Sequence, residues 1–319
     1  MTTHSQRGSM QTAILTGLAI GVAVIAGTLT LTGGNETGAD GYPDAATEEY
    51  GRRLLRDTSL YIGPNHDDTA MRYSGTDMAC ASCHLEIGTK PGTLSLLSSA
   101  PKYPRDSGRD GGIRDLRDRI NGCMQRSMNG KPLPRDSIEI MAMERYIIGL
   151  NGQYEVMGAS NRISDEQAVF VEPNRRADPE AGRIVYENRC QVCHGADGLG
   201  LLATAKPANG YLFPPLWGPD SYNNGAGMNR VLTAARFIKA RMPLGQADLT
   251  DDETFDVSAY INSKPRPIKA NLDVDFPDRT RKHVDSPYPP YADDFPQDQH
   301  KYGPFQPIRE YYESLKNSE

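Results

Sequence analysis

The chain has 319 residues, of which 38% are hydrophobic and 24% charged, and its formal net charge is −6. This length is sufficient for two domains with their own cores, and the composition is that of a folded soluble protein. A negative net charge argues against a general nucleic-acid binder, so no nucleic-acid partner is expected.

The first 34 residues differ from the rest. No charged residue occurs from Gly8 to Asn35, and Ala13–Leu31 is almost wholly apolar. Because about 20 apolar residues span a bilayer, residues 1–34 are predicted to be an uncleaved anchor, with membrane contact through residues 13–32, or a cleaved export signal. A buried core helix is the weaker alternative at a chain terminus. Both favoured alternatives export the rest of the protein.

The remainder is predicted to be mainly α, with two similar modules in tandem. Residues 35–50 are polar and acidic and are predicted to be a linker. The modules are expected at 51–165 and 166–265, because each contains a Cys-x-x-Cys-His motif, a Gly/Pro-rich stretch and an amphipathic helix. Residues 266–319 are rich in Pro, Tyr and Asp. They are predicted to form an extended tail packed on both modules.

Helix signals flank the motifs. The helix that closes the first module is expected from Asp136 to Leu150, with Asp136 and Glu139 as a capping box, and the second begins at Thr250 with Glu253. The residues expected on their buried faces are Ile138, Ala142, Tyr146 and Leu150 in the first helix, and Phe255, Ala259 and Asn262 in the second.

The approach to the two motifs differs. Pro179–Arg189 predicts a helix that delivers Cys190, with Ile184 and Val185 in apolar contact. Residues 72–78, before the first motif, are poor helix formers. The second module therefore follows the pattern of a small class I cytochrome c, and the first departs from it.

Two Cys-x-x-Cys-His motifs carry the chemistry. Two thiols at this spacing bond the two vinyl groups of a heme, and the adjacent histidine reaches its iron. A redox dithiol or half of a zinc site would explain one copy, but two copies in an exported chain favour heme. The sequence therefore predicts two cytochrome c-like heme domains in tandem. Their two covalently bound heme c groups are held by Cys80, Cys83 and His84 and by Cys190, Cys193 and His194.

The distal ligand of the second heme is predicted to be Met242. Proline at position 243 disfavours the α conformation in the preceding residue, so Met242 is expected in extended chain. Met228 is the competing candidate. Coordination by His and Met raises the reduction potential, which suits an electron outlet.

Cys123 is left over once the motif cysteines are assigned to heme. Its neighbours Arg119, Arg126 and Ser127 are basic or polar, and nearby cations favour a thiolate. A thiolate is a good distal ligand for the first heme, and axial ligands shift heme potentials over about 0.8 V. A buried apolar cysteine remains the alternative, as does distal ligation by a methionine, from the set Met124, Met128, Met141 and Met143.

Positive charge gathers around Cys123. Residues 101–136 contain nine Lys or Arg and five Asp, which gives +4 within a chain of −6. Arg109, Arg119 and Arg126 bracket Cys123 and are predicted to bind an oxyanion, because guanidinium groups form paired hydrogen bonds with anion oxygens. Arg114 and Arg117 lie among aspartates and are expected in surface salt bridges.

The segment from Arg119 to Gly130, with its Gly-Cys-Met-Gln-Arg-Ser-Met-Asn-Gly run, resembles the diheme thiosulfate dehydrogenase (tetrathionate synthase) family. Gly51–Thr58, Ile62–Pro64 and His300–Pro307 extend the resemblance over roughly residues 50–310. The resemblance implies a periplasmic bacterial enzyme that oxidises two thiosulfate to tetrathionate. It would be soluble after cleavage or tethered to the inner membrane.

The resemblance also implies roles for individual residues. His84 and Cys123 would ligate the first heme, and His194 and Met242 the second. Electrons would pass from the first heme to the second and then to an external cytochrome c. The family's catalytic pocket maps onto Cys123, Arg109, Arg119 and Ser127.

Two points depend on single residues. Some family members carry a Lys or Asn just before the distal methionine that can exchange with it on the iron. Arg241 here has no lone pair to offer, and Lys239 is a weaker candidate for such an exchange. Cys123 either only tunes the first heme or attacks one thiosulfate and holds a sulfenyl-sulfonate adduct, which follows thiol-exchange chemistry.

Three other functions are compatible with two hemes: a tetrathionate reductase running the reverse reaction, a non-catalytic diheme electron carrier, and a diheme peroxidase. Cys123 and its arginines disfavour the carrier. The peroxidase lacks a clear distal acid–base group.

Overall fold

The computed structural model describes residues 41–156 and 170–316. These residues fall within one compact unit, Glu36–Glu319. The predicted N-terminal anchor or signal lies outside the described residues. Among the helices that are described, none has both the length and the apolar character needed to span a bilayer.

The first module consists of short helices, loops and one hairpin. Its helices are α1 (Glu48–Arg56), α2 (Thr58–Ile62), α3 (Leu116–Arg126) and α4 (Ile138–Val156). Strands β1 (Arg105–Ser107) and β2 (Gly112–Arg114) pair antiparallel just before α3. Helix α1 begins within the segment predicted as a linker, because Thr47 caps it by accepting a hydrogen bond from the Tyr50 amide.

The second module repeats this plan with a different approach to its motif. Its helices are α5 (Pro179–Arg189), α6 (Gln191–His194), α7 (Val231–Arg241) and α8 (Asp251–Ser263). A small antiparallel hairpin of β3 (Leu201–Leu202) and β4 (Tyr211–Phe213) follows α6.

A glycine lies at the helix crossing in each module. A Cβ on Gly51 of α1 would lie 2.0 Å from the Ala142 carbonyl oxygen of α4. A Cβ on Gly182 of α5 would lie 2.0 Å from the Asp256 carbonyl oxygen of α8. Both positions tolerate only a hydrogen, so the two helices of each pair approach at backbone distance. The modules therefore share one architecture despite different loops.

The predicted helices agree with the structure in most respects. Thr250 and Glu253 form the predicted capping box of α8, with the Glu253 amide donating to Thr250 Oγ1 at 3.1 Å. The prediction for α4 is wrong at its start. Ser137, not Asp136, accepts the amide hydrogen bond of Ile140, at 3.3 Å.

Helix α5 has the predicted bounds, but its buried face is not the predicted one. Ile184 is 53% exposed, so the expected apolar contact there is wrong, whereas Gly182 and Tyr186 are buried. These two residues lie one turn apart and face α8, which puts Ile184 on the other side. Val185 is partly buried against the core that contains Tyr186.

The C-terminal segment contacts both modules. Asp275 pairs with Arg126 of α3, and Arg281 pairs with Asp106 of β1. Phe305 and Ile308 are buried in a core shared with the second module. The segment is not extended throughout, because it ends in α9 (Gln297–Tyr302) and α10 (Gln306–Lys316).

Candidate active site

The first Cys-x-x-Cys-His motif is anchored to the start of α2. Thr58 Oγ1 accepts a hydrogen bond from the Cys80 amide at 3.0 Å, which fixes the entry of the chain into the 3-10 turn Cys80–Ser82. Burial raises the pKa of the Cys80 thiol to about 11 and that of Cys83 to about 12. The nearby Cys123 raises the pKa of both thiols further, because like charges repel.

The two motif histidines are oriented in the same way. His84 Nδ1 lies 2.7 Å from the Leu94 carbonyl oxygen, and His194 Nδ1 lies 2.8 Å from the Pro214 carbonyl oxygen. A carbonyl only accepts, so Nδ1 carries the proton and Nε2 keeps its lone pair for a metal. Together with the paired thiols, this donor set fits two covalently attached hemes.

Helix α3 presents Cys123 beside the first motif. Asp115 and Asp118 form a capping box at its start, and Leu116, Ile120 and Met124 are its buried residues. Arg119, one turn before Cys123, donates through Nη1 to the sulfur at 2.9 Å. Burial opposes ionisation, but the guanidinium of Arg119 and the imidazole of His84 lower the pKa of Cys123 to about 7.

The structure therefore brings Cys123 into hydrogen-bonding contact with Arg119 and places His84 beside it. The four methionines considered as alternative ligands are all in the hydrophobic core of the first module: Met124, Met128, Met141 and Met143. Ser127 caps the C-terminal end of α3, one turn after Cys123, and is half-buried.

Arg109 contacts different residues. Its Nη1 donates to the Gly225 carbonyl at 3.2 Å, to Asp275 Oδ2 at 3.3 Å and to the Tyr288 hydroxyl at 3.4 Å. Its guanidinium lies over the Phe276 ring, 5.2 Å from the centroid. Burial lowers the pKa of Arg109. No contact joins Arg109 to Cys123 among the hydrogen bonds of residues 41–156 and 170–316.

Sequence analysis missed several partners of these arginines. Asp275 and Tyr288, which contact Arg109, belong to the C-terminal segment. The neighbouring Cys123 raises the pKa of Arg119, and Tyr103 adds to this rise. No local pattern marks Asp275 and Tyr288, since they lie 166 and 179 residues from Arg109 along the chain.

The two arginines expected in surface salt bridges are paired. Arg114 lies 2.5 Å from Asp110, as predicted. Arg117 instead lies 2.7 Å from Glu144 of α4, because α3 packs on that helix and brings the carboxylate within reach.

The second motif lies in a separate aromatic core. Met242 follows α7 with φ −125° and ψ 142°, the extended conformation predicted before proline. It packs with Cys190 against the cluster of Tyr186, Trp217 and Tyr260.

Met228, the competing ligand candidate, and Arg241, which precedes Met242, both contact the first module. Met228 packs against the core of the first module, so it lies in a different hydrophobic cluster from Cys190. Arg241 donates to the carbonyls of Pro91 and Thr93, which ties the end of α7 to the first module.

Family models match both modules. The SoxA/TsdA cytochrome c domain matches residues 71–152, and a model described as cytochrome C oxidase, cbb3-type, subunit III matches residues 177–261. Each match contains one Cys-x-x-Cys-His motif. The prediction of two tandem cytochrome c domains with two covalently bound heme c groups is thus confirmed.

Relatives match most of the chain. Thiosulfate dehydrogenase of Stutzerimonas stutzeri is 38% identical over 239 residues, covering 73% of this chain and 72% of the relative. That of Allochromatium vinosum is 39% identical over 235 residues, covering 71% and 82%.

A solved structure of a thiosulfate dehydrogenase is also similar to this chain. Thiosulfate dehydrogenase (TsdBA) from Marichromatium purpuratum in its "as isolated" form superposes with a TM-score of 0.61 at 33% identity. The match covers 74% of this chain and 50% of that one, so this chain spans about half of the solved chain's length. Together with the matched relatives, it shows that the chain belongs to the diheme thiosulfate dehydrogenase family.

Proposed function

We propose that the chain oxidises two thiosulfate dianions to one tetrathionate dianion and releases two electrons. The observation that carries this proposal is the contact of Cys123 Sγ with the Arg119 guanidinium, 2.9 Å away, beside His84. Family membership supports the same reaction. A simple electron carrier has no use for a half-buried thiol paired with arginine.

Cys80 and Cys83 would hold a heme, His84 and Cys123 would be the ligands of its iron, and this group would supply electron acceptance. The protein's own contribution is electrostatic. Two dianions repel each other as they form the central S–S bond, and at an effective dielectric of about 20 each pair of unit charges 4 Å apart costs about 4 kcal/mol. Fixed guanidinium groups offset this cost without reorganising during the reaction.

The pocket residues have distinct tasks. Arg119 stabilises the Cys123 thiolate and stays charged throughout. Arg109 supplies positive charge for sulfonate oxygens, and Ser127, one turn after Cys123, donates a hydrogen bond from its hydroxyl. Together they bind and orient the anions while Cys123 supplies sulfur chemistry.

Cys123 has two candidate roles, and its lowered pKa favours the nucleophilic one. In that role the thiolate bonds to the outer sulfur of one thiosulfate, giving Cys–S–S–SO3⁻ as two electrons leave. The second thiosulfate attacks the same sulfur of the adduct, so tetrathionate forms and the thiolate returns. In the other role Cys123 only tunes the first heme.

The second module is the proposed electron exit. His194 and Met242 are the proposed ligands of its heme, and coordination of this type raises the potential. The acceptor we propose is an external cytochrome c, and the proposed location is the periplasm. Residues 13–32 would provide a membrane tether unless they are cleaved.

The test uses purified holoprotein with thiosulfate and ferricyanide. We expect one tetrathionate for two thiosulfate consumed, and we expect Cys123→Ala to abolish turnover while both hemes remain attached. Met128→Leu is the matched control, since it conserves volume at a neighbouring methionine of the core. Normal turnover by Cys123→Ala would remove Cys123 from the mechanism.

The reverse reaction uses the same site. An assay with tetrathionate and a low-potential reductant measures its rate, and a reverse rate far above the forward rate would make the chain a tetrathionate reductase. An absence of turnover in both directions would identify a diheme electron carrier.

A further inference from the structure

A buried carboxylate of the C-terminal segment joins two arginines of the first module. The Asp275 side chain is 5% exposed. Its Oδ1 accepts from Arg126 Nη2 at 2.7 Å, and its Oδ2 accepts from Arg109 Nη1 at 3.3 Å and from the Tyr288 hydroxyl at 2.7 Å. One anion therefore holds two cations and one neutral donor.

This cluster of Asp275, Arg109, Arg126 and Tyr288, here called the joint, carries surplus positive charge. Two guanidinium groups share one carboxylate, and Lys269 lies close enough that burial and both arginines lower its pKa. Burial lowers the pKa of Arg109 as well, and Arg126 and Arg230 add to that shift. Buried charge without full compensation is unfavourable unless a further anion binds.

One donor of the joint has no acceptor. Arg126 Nη1 is buried and makes no hydrogen bond within residues 41–156 and 170–316. Buried polar groups normally have partners, and a guanidinium fork matches the oxygens of an oxyanion. Gly225 permits this arrangement, because a Cβ there would lie 2.7 Å from Arg126 Nη1.

The joint is linked to Cys123 through α3. Arg126 lies one turn after Cys123, and Arg119 lies one turn before it. Arg119 bonds the sulfur, whereas Arg126 turns to Asp275. Asn223 of the second module holds this end of α3, because its backbone N–H donates a hydrogen bond to the Arg126 carbonyl oxygen at 3.1 Å.

We propose that Asp275 is a positioning residue for the thiosulfate site, which holds Arg109 and Arg126 so that their remaining N–H groups bind the substrate anion. Arg126 thereby becomes a substrate-binding residue beside Arg109. The inference rests on the proposed function for the identity of the anion. It assigns the C-terminal segment a role in binding besides packing.

A purely structural clamp is the competing explanation, and Asp285 provides a matched control. It is also a buried aspartate of the C-terminal segment, with a side chain 4% exposed and an Arg230 nitrogen 3.3 Å away. Its other oxygen accepts from the Leu232 amide at the start of α7. If the aspartates only held the C-terminal segment in place, Asp275→Asn and Asp285→Asn should change KM for thiosulfate equally.

The experiment compares both variants with the wild-type holoprotein. For Asp275→Asn we expect KM for thiosulfate to rise about tenfold, equivalent to about 1.4 kcal/mol, with kcat changed far less and both hemes attached. Asp285→Asn should keep KM within about twofold. Tyr288→Phe removes one hydrogen bond to the same carboxylate and should raise KM by a smaller factor.

A binding measurement separates this inference from the proposed reaction. Calorimetric titration of the oxidised holoprotein with sodium thiosulfate, without an electron acceptor, should show the same loss of affinity in Asp275→Asn. Wild-type binding without turnover would contradict only the proposed function. Equal affinity of wild type and Asp275→Asn, equal losses in both aspartate variants, or no binding by the wild type would overturn the positioning role.

Discussion

The crossing of α1 and α4 leads to a stability prediction with a clear sign. A Cβ on Gly51 would lie 2.0 Å from the Ala142 carbonyl oxygen and 2.8 Å from the Tyr146 Cβ. These are backbone and near-backbone atoms that no rotamer change moves away. We therefore expect Gly51→Ala to force the two helices apart.

The size of the effect follows from the distances. Ordinary contacts begin at about 3.5 Å, so the helices must separate by more than about 1 Å. The core around Leu54 and Ala142, both fully buried, would lose contacts along its length. We expect a loss of about 3 kcal/mol, at the upper end of typical overpacking costs, and a fall in Tm of about 6–12 °C.

Gly152→Ala is the matched control in the same helix pair. It lies on the exposed side of α4, and its Cβ would meet no atom within 4 Å. Alanine there should stabilise the protein by about 0.5–1 kcal/mol, because glycine loses more backbone freedom in a helix. Thermal unfolding of the holoproteins, followed by circular dichroism, measures both. A Gly51→Ala variant as stable as the wild type would refute the reasoning.

Three further predictions concern other parts of the molecule. Met242→Ala should lower the potential of the second heme, seen by redox titration, because methionine coordination raises it. Partial burial of the ring, together with the positive charges of Arg230 and Arg109, lowers the pKa of His283. Because the residue as a whole is exposed, the free energy of unfolding should fall only modestly from pH 6.5 towards 4, and His283→Asn should flatten that slope in denaturant titrations. Asn223→Ala removes the donor to the Gln125 carbonyl, 2.9 Å away, and should cost about 1–3 kcal/mol in chemical unfolding.

Local patterns sufficed for much of this protein. The spacing of two cysteines and one histidine predicts heme attachment without knowledge of the fold, because the reacting groups are adjacent in the chain. The extended conformation of Met242 follows from the proline after it, and the start of α8 follows from the Thr250 capping box. Each of these features depends on residues within a few positions.

Features that depend on packing direction were predicted less well. Ile184 is exposed because Gly182 sets the side of α5 that meets α8. Arg117 pairs with Glu144 instead of a neighbouring aspartate because α3 lies against α4. A hydrophobic or charged side chain shows that a helix face is suited to burial or to an ion pair. Which face is actually covered depends on the helix that packs against it.

The sequence by itself determined the chemical groups: the two heme motifs, the extra thiol of Cys123 and the arginines around it. Only the tertiary structure decided how those arginines divide. Arg119 bonds the Cys123 sulfur, whereas Arg109 and Arg126 share Asp275, which lies 166 and 149 residues further along the chain. A buried carboxylate finds its partners through the path of the whole chain, and no local pattern encodes that path.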